Sequence, residues 1–205
     1  LAAIGLPPSA QTRPREPARL AAAWRPEVLR AAAVALVGWG CLGGITFLVA
    51  FRTDDGFGLG AGARGLLLTA FGVVGMLTAQ LVGRLIERTG ALTGALVGGV
   101  AGAVPVALIG VVPWLPVLAL LWAFTGFFAQ FLQVGVNALV LTGDGANPAG
   151  SVSVVQAFRF VGAALAPVAF TPVYHASAAA GFLLPAALLA AVTPLALLAR
   201  RPARY

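Results

Sequence analysis

The chain has 205 residues, of which 60% are hydrophobic and 9% are charged, and its mean hydropathy is +0.97. A soluble domain is about 45–50% apolar and about 25% charged, so the composition excludes that class and predicts an all-α integral membrane protein. The net charge of +7 comes from arginines that lie at the ends of apolar runs rather than along one face, and it therefore does not indicate a nucleic-acid partner.

Residues 1–30 are predicted to form a basic, proline-rich cytoplasmic linker. The apolar stretch Leu1–Leu6 is compatible with the end of a preceding membrane helix or with an arbitrary start of the sequence. Residues 18–30 fit either a plain linker or a short amphipathic helix on the membrane surface, with Trp24 at the level of the headgroups.

Six apolar runs follow, each long enough to cross a bilayer core of about 30 Å. The uncharged stretch from Ala91 to Gly143 would be roughly 80 Å long as one helix, so it must contain two spans. Its dividing turn is predicted at 113–116, where two prolines flank Trp114. The resulting six-helix bundle occupies residues 31–200, with a cytoplasmic tail at 201–205 and spans at about 31–51, 65–82, 91–112, 117–141, 152–173 and 179–199.

The distribution of arginine predicts the orientation. An even number of spans places both termini on one side, together with the 83–90 segment, and this side carries ten of the arginines at positions 13, 15, 19, 25, 30, 84, 88, 200, 201 and 204. The opposite side has only Arg52 and Arg64, offset by Asp54 and Asp55. The positive-inside rule then predicts a multi-pass protein of the plasma (cytoplasmic) membrane with both termini in the cytoplasm.

The segment 83–90 is predicted to be a short charged turn between the second and third spans. It resembles the loop signature of the major facilitator superfamily, and its matching positions are Gly83, Leu85, Arg88 and Gly90. Glu87 stands where the family has an aspartate, and Ala91 and Leu92 replace the family's basic pair. Residues 149–151 and 162–167 of the fifth span are also similar to the eleventh helix of these transporters.

The resemblance implies the C-terminal six-helix half of a twelve-helix transporter that moves a small solute, with or without a coupling proton, by alternating access. The missing N-terminal half, or a second copy of this chain, would be its partner. The alternatives are an autonomous six-span protein acting as a homodimer, and a truncated remnant or membrane scaffold that transports nothing.

Within that resemblance, the charged segment is expected to act as a gate. Glu87 and Arg88 would form a cytoplasmic latch, with Glu87 near the N-terminus of the fifth span and paired with Arg84 or Arg88. The alternative is that these residues only end the helices and orient the hairpin.

Polar residues inside spans are the second candidate site, because such residues usually face the interior of a bundle. Gln130, Gln133 and Asn137 are spaced to lie on one face of the fourth span. By resemblance they would line the substrate cavity; the alternative is hydrogen bonding between helices.

Arg159 is the one charge placed well inside a predicted span, roughly 10–12 Å from its cytoplasmic end. Three roles are open for it: reaching the headgroups with its long side chain, pairing with Asp144 or Glu87, or contacting an anionic substrate.

No enzymatic activity, cofactor or metal site is predicted. His175 is the sole histidine and has no acidic or cysteine cluster beside it, and the Asp54–Asp55 pair alone does not provide the six or more oxygens that calcium requires. The sequence contains no lysine and hence no phosphate-binding loop of the ATPase type. Ser151 and His175 are predicted on opposite membrane faces, which excludes a catalytic dyad.

Overall fold

The computed structural model describes residues 24–143 and 147–199, and these residues form helices and connections with no strand among them. Residues 1–23, 144–146 and 200–205 lie outside the described residues, and the predictions made for them are therefore not addressed by the structure. The helices are α1 (Pro26–Leu42), α2 (Thr46–Phe57), α3 (Ala61–Thr89), α4 (Ala91–Leu96), a π-helical segment (Val97–Ala101), α5 (Ala103–Ile109), α6 (Leu115–Leu141), α7 (Pro148–Ala176) and α8 (Ala178–Leu198).

In the part of the chain that the structure describes, six helical stretches are long and apolar enough to cross a membrane, which confirms the predicted all-α membrane bundle. Each predicted span has a counterpart, although the bounds differ and are Pro26–Phe57, Ala61–Thr89, Ala91–Ile109, Leu115–Leu141, Pro148–Ala176 and Ala178–Leu198. The connections contain six residues or fewer, too few to return across the bilayer, so successive spans run in opposite directions.

The first span contains α1 and α2, joined by a turn at residues 43–45. At this turn the Gly44 N–H donates to the Trp39 carbonyl at 2.7 Å, and the Thr46 hydroxyl donates to the Gly43 carbonyl at 2.6 Å. The helix starts at Pro26, whose missing N–H suits the first turn. The predicted linker therefore ends five residues earlier than expected, and residues 26–30 belong to the spanning helix.

The turn predicted at 83–90 is wrong in its extent: in the structure the turn consists of Gly90 alone. Helix α3 continues through Thr89, because Arg84, Leu85, Ile86 and Glu87 are not helix breakers. The chain reverses only at Gly90, whose φ of +93° favours glycine.

The third span ends at Ile109 rather than 112 and contains a π-helical segment just before Pro105. Proline has no N–H to donate to the preceding turn, which accounts for an irregularity at this point. Gly98 and Gly102 face α6, where a Cβ would meet the backbone of Leu132 and the side chain of Phe128. The small-residue spacing of this span therefore corresponds to close packing on α6.

The core lies between α1, α6 and α8, where Trp122 and Phe182 are fully buried. In contrast, only 11% of the most apolar stretch of α3 and 17% of that of α7 is buried, compared with 50% for the first span. The outward faces of α3 and α7 are consequently apolar and uncovered, as expected for helices that contact lipid or a second bundle.

Candidate functional site

A close crossing of α1 and α7 sets the geometry of the candidate site. A Cβ at Gly40 would lie 3.0 Å from the Gly162 carbonyl oxygen, and one at Gly162 would overlap the backbone of Leu36. One turn further along, Gly44 faces Ala166. Small residues at these positions let the two backbones approach, and this brings the side chain of Trp39 over α7.

Arg159 meets that tryptophan. Its guanidinium carbon lies 3.5 Å from the centroid of the Trp39 ring, which is a cation–π contact. Its Nη1 donates to Gln156 Oε1 at 3.2 Å, whereas its Nε is buried and has no hydrogen-bond partner. Among the described residues, no carboxylate forms an ion pair with it, so pairing with Glu87 is not observed, and Asp144 lies outside the described residues.

The depth of Arg159 also differs from the expectation. Because α7 begins at Pro148 instead of 152, Arg159 lies roughly 16 Å from the first residue of the helix. A 29-residue helix is roughly 43 Å long, and Arg159 is three residues from its midpoint. The side chain contacts Trp39 and Gln156.

A cleft between α1, α6 and α7 unites Arg159 with three amide side chains, Gln133, Asn137 and Gln156. Its volume is about 20 Å³, roughly the space of one water molecule, so the cleft would have to widen to hold a larger solute. No acidic side chain from residues 24–143 or 147–199 contributes to it. The remaining lining is apolar and aromatic: Ala35, Trp39, Leu132, Val136 and Val155. Because Asn137 precedes and Gln156 follows the α6–α7 connection, the cleft lies in the half of the bundle that contains this connection.

Gln130, the third of the predicted cavity residues, lies elsewhere. It packs beside Gly75 of α3, where a glycine Cβ would be 3.1 Å from its Nε2. The same α3–α6 contact includes a hydrogen bond of 3.2 Å from Trp122 Nε1 to the Leu68 carbonyl. Gln130 therefore occupies a helix–helix interface, and Gln133 and Asn137 are the members of the set that line the cleft.

Of the predicted gate residues, Leu85 is packed against α6, whereas the charged residues are exposed. Ile86 is buried with Phe131 of α6, and Leu85 packs against the same cluster. Arg84, Glu87 and Arg88 are exposed, and within residues 24–143 and 147–199 none of the three takes part in an ion pair. Gly83 is an ordinary helical residue with open space beside it.

At the opposite end of the bundle the charged residues are joined to one another. Arg64 forms an ion pair with Asp54, and the Tyr174 hydroxyl donates to Asp55 Oδ2 at 3.0 Å. Arg52 donates from Nη2 to the Val112 carbonyl at 3.2 Å. These contacts connect α2 with α3, with α7 and with the connection before α6.

Trp39 and Gln156 line the cleft but are not among the site residues predicted from the sequence. Gln156 had a visible signal, since it lies one turn before Arg159 on the same helix face. The signal for Trp39 was weaker: the small residues Gly40 and Gly44 match Gly162 and Ala166 in spacing, and a pair of such motifs favours a close crossing.

Comparison of the chain with models of protein families, with curated proteins and with solved structures gave no match. The fold and the site therefore rest on the geometry described above.

Proposed function

We propose that the chain is one six-helix half of a secondary transporter that moves a small solute across the plasma membrane by alternating access, and that the α1–α6–α7 cleft holds the solute. The observation that carries the proposal is the convergence of Gln133, Asn137, Gln156 and Arg159 in one cleft of an otherwise apolar bundle. Polar groups inside membrane helices are costly, and their clustering at one place is typical of a substrate pathway.

The uncovered faces of α3 and α7 support the need for a partner bundle. A transporter of this type requires a second set of helices that moves against the first. In the proposed arrangement, the second set is the N-terminal half suggested by the resemblance to the major facilitator superfamily, and a second copy of this chain is the alternative. The excess of arginine at the end that includes Arg25, Arg30, Arg84 and Arg88 supports a cytoplasmic location for that end.

In this proposal Glu87 and Arg88 contribute to closing the cytoplasmic side. Their exposure and lack of an ion pair among the described residues leave them available to contact a partner bundle in the closed state.

The experiment is reconstitution of the full-length gene product that contains this chain into liposomes loaded with a mixture of small metabolites. Efflux of each compound is followed by mass spectrometry and compared with protein-free liposomes. The test variant is Asn137→Leu, which removes an amide from the cleft. The matched control is Thr142→Val, which removes a polar group from the exposed end of the same helix.

Protein-dependent efflux of at least one compound that Asn137→Leu slows and Thr142→Val does not would support the proposal. Equal efflux from the wild-type protein and both variants would show that the solute does not pass through the cleft. Absence of any protein-dependent efflux would favour a scaffold or remnant. Light scattering of the active species in detergent separates the single chain from the homodimer.

A further inference from the structure

We infer that the solute bound in the α1–α6–α7 cleft is a small organic anion, with a carboxylate or phosphate held by Arg159. This inference rests on the function proposed above and specifies the chemical class of the substrate.

The charge balance of the cleft is the first reason. Among the described residues, Arg159 is the one charged side chain that lines the cleft, and the amides of Gln133, Asn137 and Gln156 lie beside it. An arginine within a membrane bundle normally pairs with a carboxylate or a backbone carbonyl, yet no such partner is found for it in the described part of the chain. A bound anion would supply the missing charge.

The hydrogen-bond geometry of the guanidinium is the second reason. Trp39 covers one face of the guanidinium plane, but a stacked ring does not satisfy N–H donors that point along the edge of that plane. Nη1 is engaged by Gln156, while Nε is buried without an acceptor. The edge that contains Nε therefore has an unsatisfied donor, which a carboxylate could satisfy through two parallel hydrogen bonds once the packing around Nε opens.

The surroundings favour an organic anion over an inorganic ion. Leu132, Val136 and Val155 line the cleft beside the amides, so an apolar portion of a ligand would be covered while its charged end meets Arg159. Arg159 lies roughly 16 Å along α7 from its first residue, and the lipid series below tests whether its guanidinium holds a headgroup phosphate instead.

The test measures thermal unfolding of the full-length gene product in a non-ionic detergent, because a ligand that binds only the folded state raises the unfolding temperature. The probes are two pairs, each made of a carboxylate and the corresponding neutral amide: acetate with acetamide, and benzoate with benzamide. Each compound is added over a millimolar concentration series, and sodium chloride keeps the ionic strength constant. Phosphatidylglycerol is added in a separate series to detect binding of a lipid headgroup.

The variants are Arg159→Gln and Arg159→Lys, and the control is Arg25→Gln, which removes the same charge from an exposed position. We expect acetate or benzoate to stabilise the wild-type protein and the control, and their neutral partners to have no effect. Arg159→Gln should weaken the apparent affinity about tenfold or more. Arg159→Lys should give an intermediate loss, since lysine keeps the charge but not the planar fork.

Three outcomes would overturn the inference. If the neutral and charged probes stabilise equally and Arg159→Gln changes nothing, the cleft binds neutral solutes, and the proposed transport function stands without the anion. If only phosphatidylglycerol gives an Arg159-dependent shift, the arginine holds a lipid headgroup. If no probe gives an Arg159-dependent shift, the anion assignment is wrong. Should Arg159→Gln fail to fold, the wild-type comparison of charged with neutral probes and the lysine variant still decide between these outcomes.

Discussion

The close crossing of α1 and α7 can be tested by replacing glycine with alanine at two positions. The substitution should destabilise the protein at Gly162, which lies in the crossing, but not at Gly72 of α3. At Gly162 a Cβ would meet the oxygen, the carbonyl carbon and the Cα of Leu36, which are all backbone atoms. A backbone cannot rotate away as a side chain can, so α1 and α7 would have to separate. At Gly72 of α3, a Cβ meets nothing within 4 Å.

The expected magnitudes follow from these surroundings. Replacing a helical glycine by alanine favours the helix by about 1 kcal/mol, and this gain is common to both sites. Overpacking of a tight interface costs about 1–3 kcal/mol. Gly162→Ala should therefore be less stable than Gly72→Ala by about 1–3 kcal/mol, and Gly72→Ala should be as stable as the wild-type protein or slightly more so.

Thermal unfolding of both variants in the same detergent measures the difference, for which we expect at least about 2 °C. The separation of the helices should also move Trp39 away from Arg159, so Gly162→Ala should lose anion-induced stabilisation while Gly72→Ala keeps it. Equal unfolding temperatures for the two variants would refute a close α1–α7 crossing, and with it the placement of Trp39 over Arg159.

Three further substitutions test other contacts by thermal unfolding. Asn147→Ala removes the side-chain oxygen that accepts from the Gly150 N–H at 2.9 Å at the start of α7, and it should lower stability by about 0.5–2 kcal/mol, whereas Asn147→Asp, which keeps an acceptor, should restore it. Tyr174→Phe removes the hydroxyl that donates to Asp55 and should lower stability by about 1–3 kcal/mol, a loss that should disappear in an Asp55→Ala background, which has no side-chain acceptor, if this hydrogen bond is its cause. Glu87→Gln should change stability by less than about 0.5 kcal/mol, because the exposed carboxylate has no ion pair among the described residues; a larger loss would reveal a structural role for this side chain.

The number and order of the spans were predictable because they depend on two quantities that are visible in a sequence, the length of each apolar run and the positions of charges and prolines. The ends of the helices were less predictable. Charged residues suggested that the second span ended before Gly83, yet Arg84 to Arg88 continue the helix, since charge marks the membrane boundary and not the end of hydrogen bonding. The chain reverses at Gly90, whose positive φ is readily accessible to glycine.

The candidate site was predictable in part for a similar reason. The spacing of Gln133 and Asn137 identifies a shared helix face, and the structure places both in the cleft. Gln130 has the same spacing but lies nearer to α3, because a face of one helix is wide enough to contact two neighbours. The contact between Arg159 and Trp39 depends on the pairing of α7 with α1, which are distant in sequence, and helical periodicity contains no information about which helices pair.

The two ends of the bundle differ in how firmly they are connected, and the difference bears on how the cleft would open. At the end that contains Arg52, Asp54 and Asp55, polar contacts tie α2 to α3, to α7 and to the connection before α6. At the end that contains Glu87 and Arg88, no ion pair links α3 to another helix within the described residues. The cleft lies in this second half. Movement of the helices there would break no ion pair observed in the structure, whereas opening at the other end would have to separate Arg64 from Asp54 and Tyr174 from Asp55. The contacts of this chain alone therefore favour access to Arg159 from the side that the arginine distribution assigns to the cytoplasm.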